Sequence, residues 1–341
     1  MDNDAPILPE AGTVTADDVA AVAGVSRWTV ARAFKADASI SARSREKVLA
    51  AAEQLGYAPD LAAASLSSER SNVIALLIDD FANPHKLVVL ERVTRIIRQR
   101  GWATLLVNLL DEADAPAAML NASQRRVDAI VLLGTRFDDR IVDTALGARR
   151  VKKLIVFARQ SRNPNTIAIS CDDALAMNEI ADHVIARRYR RPMFLAGPDT
   201  VSARLFRKET FADRWRAHAG CDPEILHVAD YDQGLAYRTL SRALAGSDRV
   251  ALPDVVVCEN DALAFGAIDA IRHGLGLSVP GDIAVTGFDD IPQAALPGYD
   301  LTTYRQPISL MAEALAEVLE SEGRDIADIN IPGRFVIRSS G

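Results

Sequence analysis

Three side chains in the stretch GVSRWTVARAFK, Gly24 to Lys35, could do chemistry on a nucleic acid: Arg27, Trp28 and Arg32. A guanidinium can donate two parallel bonds to O6 and N7 of guanine, and an indole offers apolar area to a thymine methyl or a sugar edge. Ala31 between them would allow close approach. The cations Arg27, Arg32, Lys35, Arg43, Arg45 and Lys47 cluster within a chain of 341 residues whose formal net charge is −7. Over residues 13–60 the acids Asp17, Asp18, Asp37, Glu46, Glu53 and Asp60 balance them in number. A local positive footprint, rather than a basic protein, is what phosphate contact requires.

Other reactive residues form no constellation. Ser44 and Lys47 in SREK fit a Ser-x-x-Lys acylating pattern, but its partner motifs are missing. His85, His183, His218, His227 and His273 have no metal-binding spacing, and GLGL near Gly274 is not a dinucleotide fingerprint. Cys171, Cys221 and Cys258 are odd in number and far apart, which fits a reducing cytoplasm better than a disulfide framework. Asp172 and Asp173 read as a helix cap or a cleft edge rather than a catalytic pair. No catalytic residue, cofactor or metal is therefore expected. MDNDAPILPE is not a signal peptide, and no apolar stretch reaches membrane-spanning length.

The elements that must position these residues follow from periodicity. Residues 1–12 read as a disordered tail. Residues 13–58 read as three short helices, the first capped by Thr15 with Asp18 in a capping box and stopped by Gly24. Ser26 caps the second helix and Ser41 precedes the third. On a helical wheel Val30, Ala33 and Phe34 face inward while Arg27, Trp28, Ala31 and Arg32 share the other side. Two short helices joined by AGVS suit a helix-turn-helix, whose second helix enters the major groove. The same spacing also suits a plain helical bundle with Trp28 packed on a neighbouring lobe. Residues 59–71 read as a hinge helix or linker. From 72 to 341, runs such as VIALLID, AIVLLG, KLIVFA and DVVVC alternate with helical stretches, which implies βαβ units and parallel sheets. That length implies two α/β lobes.

The stretch from Thr15 to Leu66 resembles the DNA-binding headpiece and hinge of the LacI/GalR family of bacterial transcription regulators. The resemblance runs through Thr15, Asp18, Val19, Ala20, Gly24, Val25, Ser26, Thr29, Val30, Arg32, Ser41, Arg45, Lys47, Gly56, Tyr57 and Pro59. It implies that Arg27 and Trp28 read the operator. It also implies DNA contacts from Thr15, Ser26, Thr29, Ala31, Arg32, Lys35, Ser41, Arg43, Arg45 and Lys47. Ala63 and Leu66 of the hinge would enter the minor groove. Ala31, Lys35 and Asp60 depart from the family pattern. GPDTVSARLFRKETF, VVVCENDALAFGAIDAI, SVPGDIAVTGFDD and LTTYRQP resemble segments of the family's body, which is of periplasmic-binding-protein type; the resemblance implies two Rossmann-like lobes, the first near 72–168 and 304–326, the second near 169–303 and 327–341.

That body implies a small effector, a sugar or sugar derivative, held between the lobes by Asn83, Arg207, Tyr231 and Asp261, and a homodimer on double-stranded operator DNA. A transport-type sugar-binding protein would explain the lobes alone, and so would an α/β enzyme. Neither explains the headpiece.

Overall fold

The computed structural model describes residues 14–35, 38–60, 70–109, 114–135, 151–161, 163–199, 205–321 and 326–341. The tail at 1–12 and the hinge residues 61–69, with Ala63 and Leu66, lie outside them. The chain divides into two compact units, Met1–Ser71 and Asn72–Gly341.

The first unit is built on α1 (Ala16–Ala23), α2 (Arg27–Ala33) and α3 (Ala42–Leu55). Each start is capped by a hydroxyl. Thr15 accepts from the Asp18 amide while the Asp18 carboxylate accepts from the Thr15 amide, a complete capping box. Ser26 accepts from the Thr29 amide and Ser41 from the Ser44 amide. Gly24 and Gly56 end α1 and α3 with φ near +64° and +66°, a backbone that costs a side-chain-bearing residue energy. Val19, Ala20, Ala23, Val30, Ala33, Val48, Ala51 and Ala52 form the core. Small residues let the short helices approach closely. Arg45 donates Nη1 to the carbonyls of Ala33 (2.8 Å) and Lys35 (3.0 Å), and Nη2 to that of Ala38 (3.2 Å).

The second unit has two parallel sheets. Its elements are β1 (Val73–Ile78), α4 (His85–Gln99), β2 (Ala103–Asn108), α5 (Ala115–Gln124), β3 (Ala129–Leu133), β4 (Lys153–Phe157), β5 (Ile167–Cys171), α6 (Asp173–Ala186), β6 (Pro192–Ala196), α7 (Arg207–Ala219), β7 (Glu224–His227), α8 (Gln233–Leu244), β8 (Val255–Cys258), α9 (Asp261–Asp269), β9 (Ala284–Thr286), β10 (Thr303–Arg305), α10 (Ile308–Glu320), β11 (Ile329–Ile331) and β12 (Arg334–Val336). The first lobe carries the order β11-β5-β4-β3-β1-β2 and the second β7-β6-β8-β9, while β10 pairs antiparallel with β12. The central strands β3, β6 and β8 are buried throughout and read as continuous apolar runs because helices cover both faces.

The lobe boundaries differ from the sequence expectation by a few residues. All of β5, through Cys171, belongs to the first sheet, and β11 pairs with it in register Ile329↔Ile169. Residues 169–171 and 327–331 therefore belong to the first lobe rather than the second. On the other side, Asp289 forms a bridge to Arg305 of β10, which keeps 304–305 with the second lobe. Three-residue strands such as INI are too short to announce their sheet by periodicity. The chain crosses between lobes at Asp172, at Gln306–Pro307 and at Pro332–Gly333.

Candidate nucleic-acid interface and effector cleft

In the first unit, Arg27 opens α2 and Trp28 follows it. Val30 and Ala33 are buried on the inner face, whereas Trp28 stays 66% exposed. Within its own unit, therefore, Trp28 takes no part in the helical core. The Arg32 guanidinium lies 4.2 Å from the centroid of the Trp28 ring, a cation–π contact. The Arg27 guanidinium stands 3.3 Å from the Asp17 carboxylate. Ala31, Lys35, Ser41, Arg43 and Lys47 are exposed, and Thr29 is half-buried. The hydroxyls of Thr15, Ser26 and Ser41 serve the helix caps. The Arg45 guanidinium ties α3 to the segment after α2 through three carbonyls. The Ser44 hydroxyl accepts from Ser41 at 2.8 Å in the first turn of α3, so SREK is part of a helix start.

In the second unit an open cleft lies between the lobes. Asp79 and Asp80 reach it from the end of β1, Asn83, His85 and Lys86 from the start of α4, and Phe157 and Arg159 from the end of β4. The second lobe contributes Arg207, Asp230, Tyr231, Asn260 and Asp289, and Gln306 comes from a crossover. These positions are the strand ends and helix starts of two doubly wound sheets, where ligands bind in open α/β folds.

Arg207 is 4% exposed. Its Nε donates to Asp173 Oδ1 at 3.0 Å, its Nη1 donates to the Glu259 carbonyl at 3.0 Å, and its guanidinium lies 3.6 Å from the centroid of the Phe288 ring. Burial works against its charge, but Asp173, Asp289 and Glu259 more than offset this and hold it ionised. Burial pushes the Asp173 carboxyl up to about 6 despite Arg207. Asp80 is likewise raised, mainly by burial, and Asp230 across the cleft adds to the shift. Its Oδ1 accepts from the amides of Ala82 and Asn83, at 2.9 and 3.2 Å. Asp79 pairs with Lys86 at 3.6 Å. A Cβ at Gly134 would lie 1.9 Å from Asp79 Oδ1, so only glycine lets that carboxylate sit there.

At the crossover, Gln306 Nε2 donates to Asp289 Oδ1 at 2.7 Å and lies 3.2 Å from His85 Nε2. Burial pushes the His85 imidazole below its ordinary range. One amide thus joins the two lobes. Asp289 and Asp290 both have positive φ, +126° and +52°, a strained pair that sets the direction of both carboxylates. Asp290 in turn pairs with Arg305 at 2.5 Å and Arg338 at 2.7 Å.

Asn83, Arg207 and Tyr231 therefore line one cleft. Tyr231 donates to Glu259 Oε2 at 3.2 Å. Asp261 does not line it. Its side chain is 0% exposed, accepts from Thr303 Oγ1 at 2.6 Å and the Ile291 amide at 2.9 Å, and holds the second lobe together. The residue before it, Asn260, caps α9 through the Leu263 amide and faces the cleft. The expectation was one residue out, because the END triplet turns through a helix start. Asp289, His85 and Gln306 of the cleft lining were not among the expected site residues, and Asp173, read as a cap or a cleft edge, stands behind Arg207. The GFDD and CDDA doublets held a signal, two polar residues at a strand end, but nothing in it separates the working acid from its neighbour. Asp172 is the α6 cap, accepting from the Leu175 amide.

Residues 15–60 match the family described as bacterial regulatory proteins, lacI family, and residues 181–341 match a periplasmic binding protein-like domain. The chain is 30% identical over 336 residues to the sucrose operon repressor of Escherichia coli, an alignment covering 95% of this chain and 98% of that one. It is 32% identical over 324 residues to an HTH-type transcriptional regulator of Mycobacterium tuberculosis, covering 86% of each. Among solved structures, the Lac repressor dimer bound to operator and the anti-inducer ONPF superposes with a TM-score of 0.84 at 24% identity, over 96% of this chain and 99% of that one.

Proposed function

The chain belongs to the lacI family of bacterial regulatory proteins, and from that premise we propose how it works. It binds a near-palindromic operator as a homodimer in the cytoplasm. Arg27, Trp28 and Arg32 read bases, and Lys35, Arg43 and Lys47 meet phosphates. The exposed face of α2, held by the Ser26 cap while Val30 and Ala33 are buried, carries this assignment. Ala63 and Leu66 of the hinge enter the minor groove beside it. A small polyhydroxylated ligand, a sugar or sugar derivative, occupies the cleft and sets operator affinity. Paired acids, guanidinium groups and amides suit neighbouring hydroxyls, since charge-assisted bonds are short and directional, and the Tyr231 ring suits a sugar's apolar face. The chain acts by binding rather than catalysis. Among the described residues no group of three or more His, Cys, Asp or Glu is placed to hold a metal ion, and no helix is long and apolar enough to cross a membrane.

Two measurements test this reading. Selection of duplexes from a randomised library by the full chain should return a two-fold symmetric motif; recovery without sequence preference would reject base reading. A thermal-shift screen of mono- and disaccharides, sucrose included, should yield a stabilising sugar that also shifts operator affinity. By linkage the operator must then shift sugar affinity by the same factor. A sugar that stabilises the protein but leaves operator affinity unchanged would reject coupling.

A further inference from the structure

The two adjacent acids that open α1 have different tasks. Asp18 completes the capping box, accepting from the amide of Thr15 at 2.8 Å and its hydroxyl at 2.7 Å. Asp17 is not needed there. Its carboxylate meets Arg27 Nη1 at 3.3 Å, ten residues along the chain and on the next helix. Both side chains are well exposed, 72% for Arg27 and 65% for Asp17. An acid beside a DNA-reading arginine repels phosphate, so a carboxylate at that place calls for an explanation.

We propose that Asp17 is a positioning residue for operator specificity: it orients the Arg27 guanidinium at the start of α2 and penalises complexes in which Arg27 turns to a phosphate. This rests on the reading of Arg27 as a base contact. A long side chain at the first position of a seven-residue helix has many rotamers, most of them free to reach the backbone of any sequence. Phosphate contact carries no sequence information. A carboxylate holding one edge of the guanidinium leaves its other donors for a base edge and restricts that freedom. Arg32 is held differently, by the Trp28 ring. The two arginines of the reading face are thus each set by a neighbour, one through charge and one through a π face.

The competing role for Asp17 is local, an acid favoured in the first turn of a helix by the backbone dipole. That role would alter headpiece stability and leave base preference alone. The test compares the full-length wild type, Asp17→Asn, Arg27→Ala and the double variant, each profiled on a randomised duplex library and by titration of the enriched and a scrambled duplex. Asp17→Asn should raise affinity for the scrambled duplex, since one repelling charge is gone. It should also flatten base preference at one position of each half-site by about two- to fivefold, the scale of an exposed ion pair. Asp17→Glu should restore most of that preference. In the Arg27→Ala background, Asp17→Asn should change the profile no further. An Asp17→Asn profile identical to wild type, with only the melting temperature altered, overturns the proposal. So does an equal change with and without Arg27. A profile that Arg27→Ala leaves untouched overturns instead the base-reading assignment on which it rests.

Discussion

The headpiece and the cleft solve the same problem, holding polar groups ready for a partner, in opposite ways. On the headpiece the working side chains are exposed and adjacent in sequence, and caps and small buried residues do the holding. Arg27, Trp28 and Arg32 lie within six residues, on a helix whose inner face is Val30 and Ala33. In the cleft the working groups are buried and far apart in sequence, and they hold one another. Arg207 depends on Asp173 and the Glu259 carbonyl; Gln306 depends on Asp289 and His85. A residue of the first kind can be replaced at little cost to folding, whereas replacing one of the second kind strips a buried partner of its counter-charge.

The largest expected effect tests that dependence. Arg207→Ala should destabilise the two-lobed unit by about 3–5 kcal/mol, because the buried Asp173 carboxylate loses its partner. Denaturant titration near pH 8 checks it, and adding Asp173→Ala should recover part of the loss. If Arg207→Ala unfolds like wild type, the cleft is as forgiving as the headpiece and the comparison fails. The next effect is a pH dependence. The folded protein holds the Asp173 proton up to about pH 6, against an ordinary value of 3.8. This contribution to stability is complete below pH 3.8 and is lost as pH rises through about 6, a total of roughly 2–3 kcal/mol. In Asp173→Asn that part of the pH profile should disappear.

On the headpiece, Arg27→Ala should cost about 1–3 kcal/mol on the selected operator and relax its preference, with the melting temperature nearly unchanged. Lys47→Ala should weaken all duplexes alike and reduce the salt dependence by about one phosphate contact. Salt-dependent titration on matched and scrambled duplexes separates the two. The smallest effect is Thr15→Ala, which removes one half of the capping box and should cost the first unit about 1 kcal/mol. Thermal unfolding of that unit reads it directly.

Legibility follows the same division. The three helices, their caps and the exposed face of α2 are local features, and a wheel of eight residues places Trp28 outside and Val30 inside. Most strands announce themselves as apolar runs between helical stretches. What spacing does not carry is convergence. Asp79, Asp173, Arg207, Asp289 and Gln306 come from five separate segments, and only the fold makes them neighbours. Arg45 shows the same limit on a smaller scale, because a charge count cannot tell a cation facing solvent from one bonded to three carbonyls. Asp261 shows it at the scale of one residue, where a helix start sends Asn260 to the cleft and its neighbour into the lobe.

The pair Asp172 and Asp173 has a consequence for how such a cleft could be retuned. Asp172 stops β5 from running on and starts α6, and Asp173 is thereby relieved of any duty to the backbone. The helix cap and the charge that holds Arg207 are written on successive letters rather than on the same one. A change at the second letter, made together with a matching change at Arg207, could alter which hydroxyl or charge the cleft accepts while the crossover keeps its course. Ligand preference can drift along such doublets without the lobes having to be reinvented.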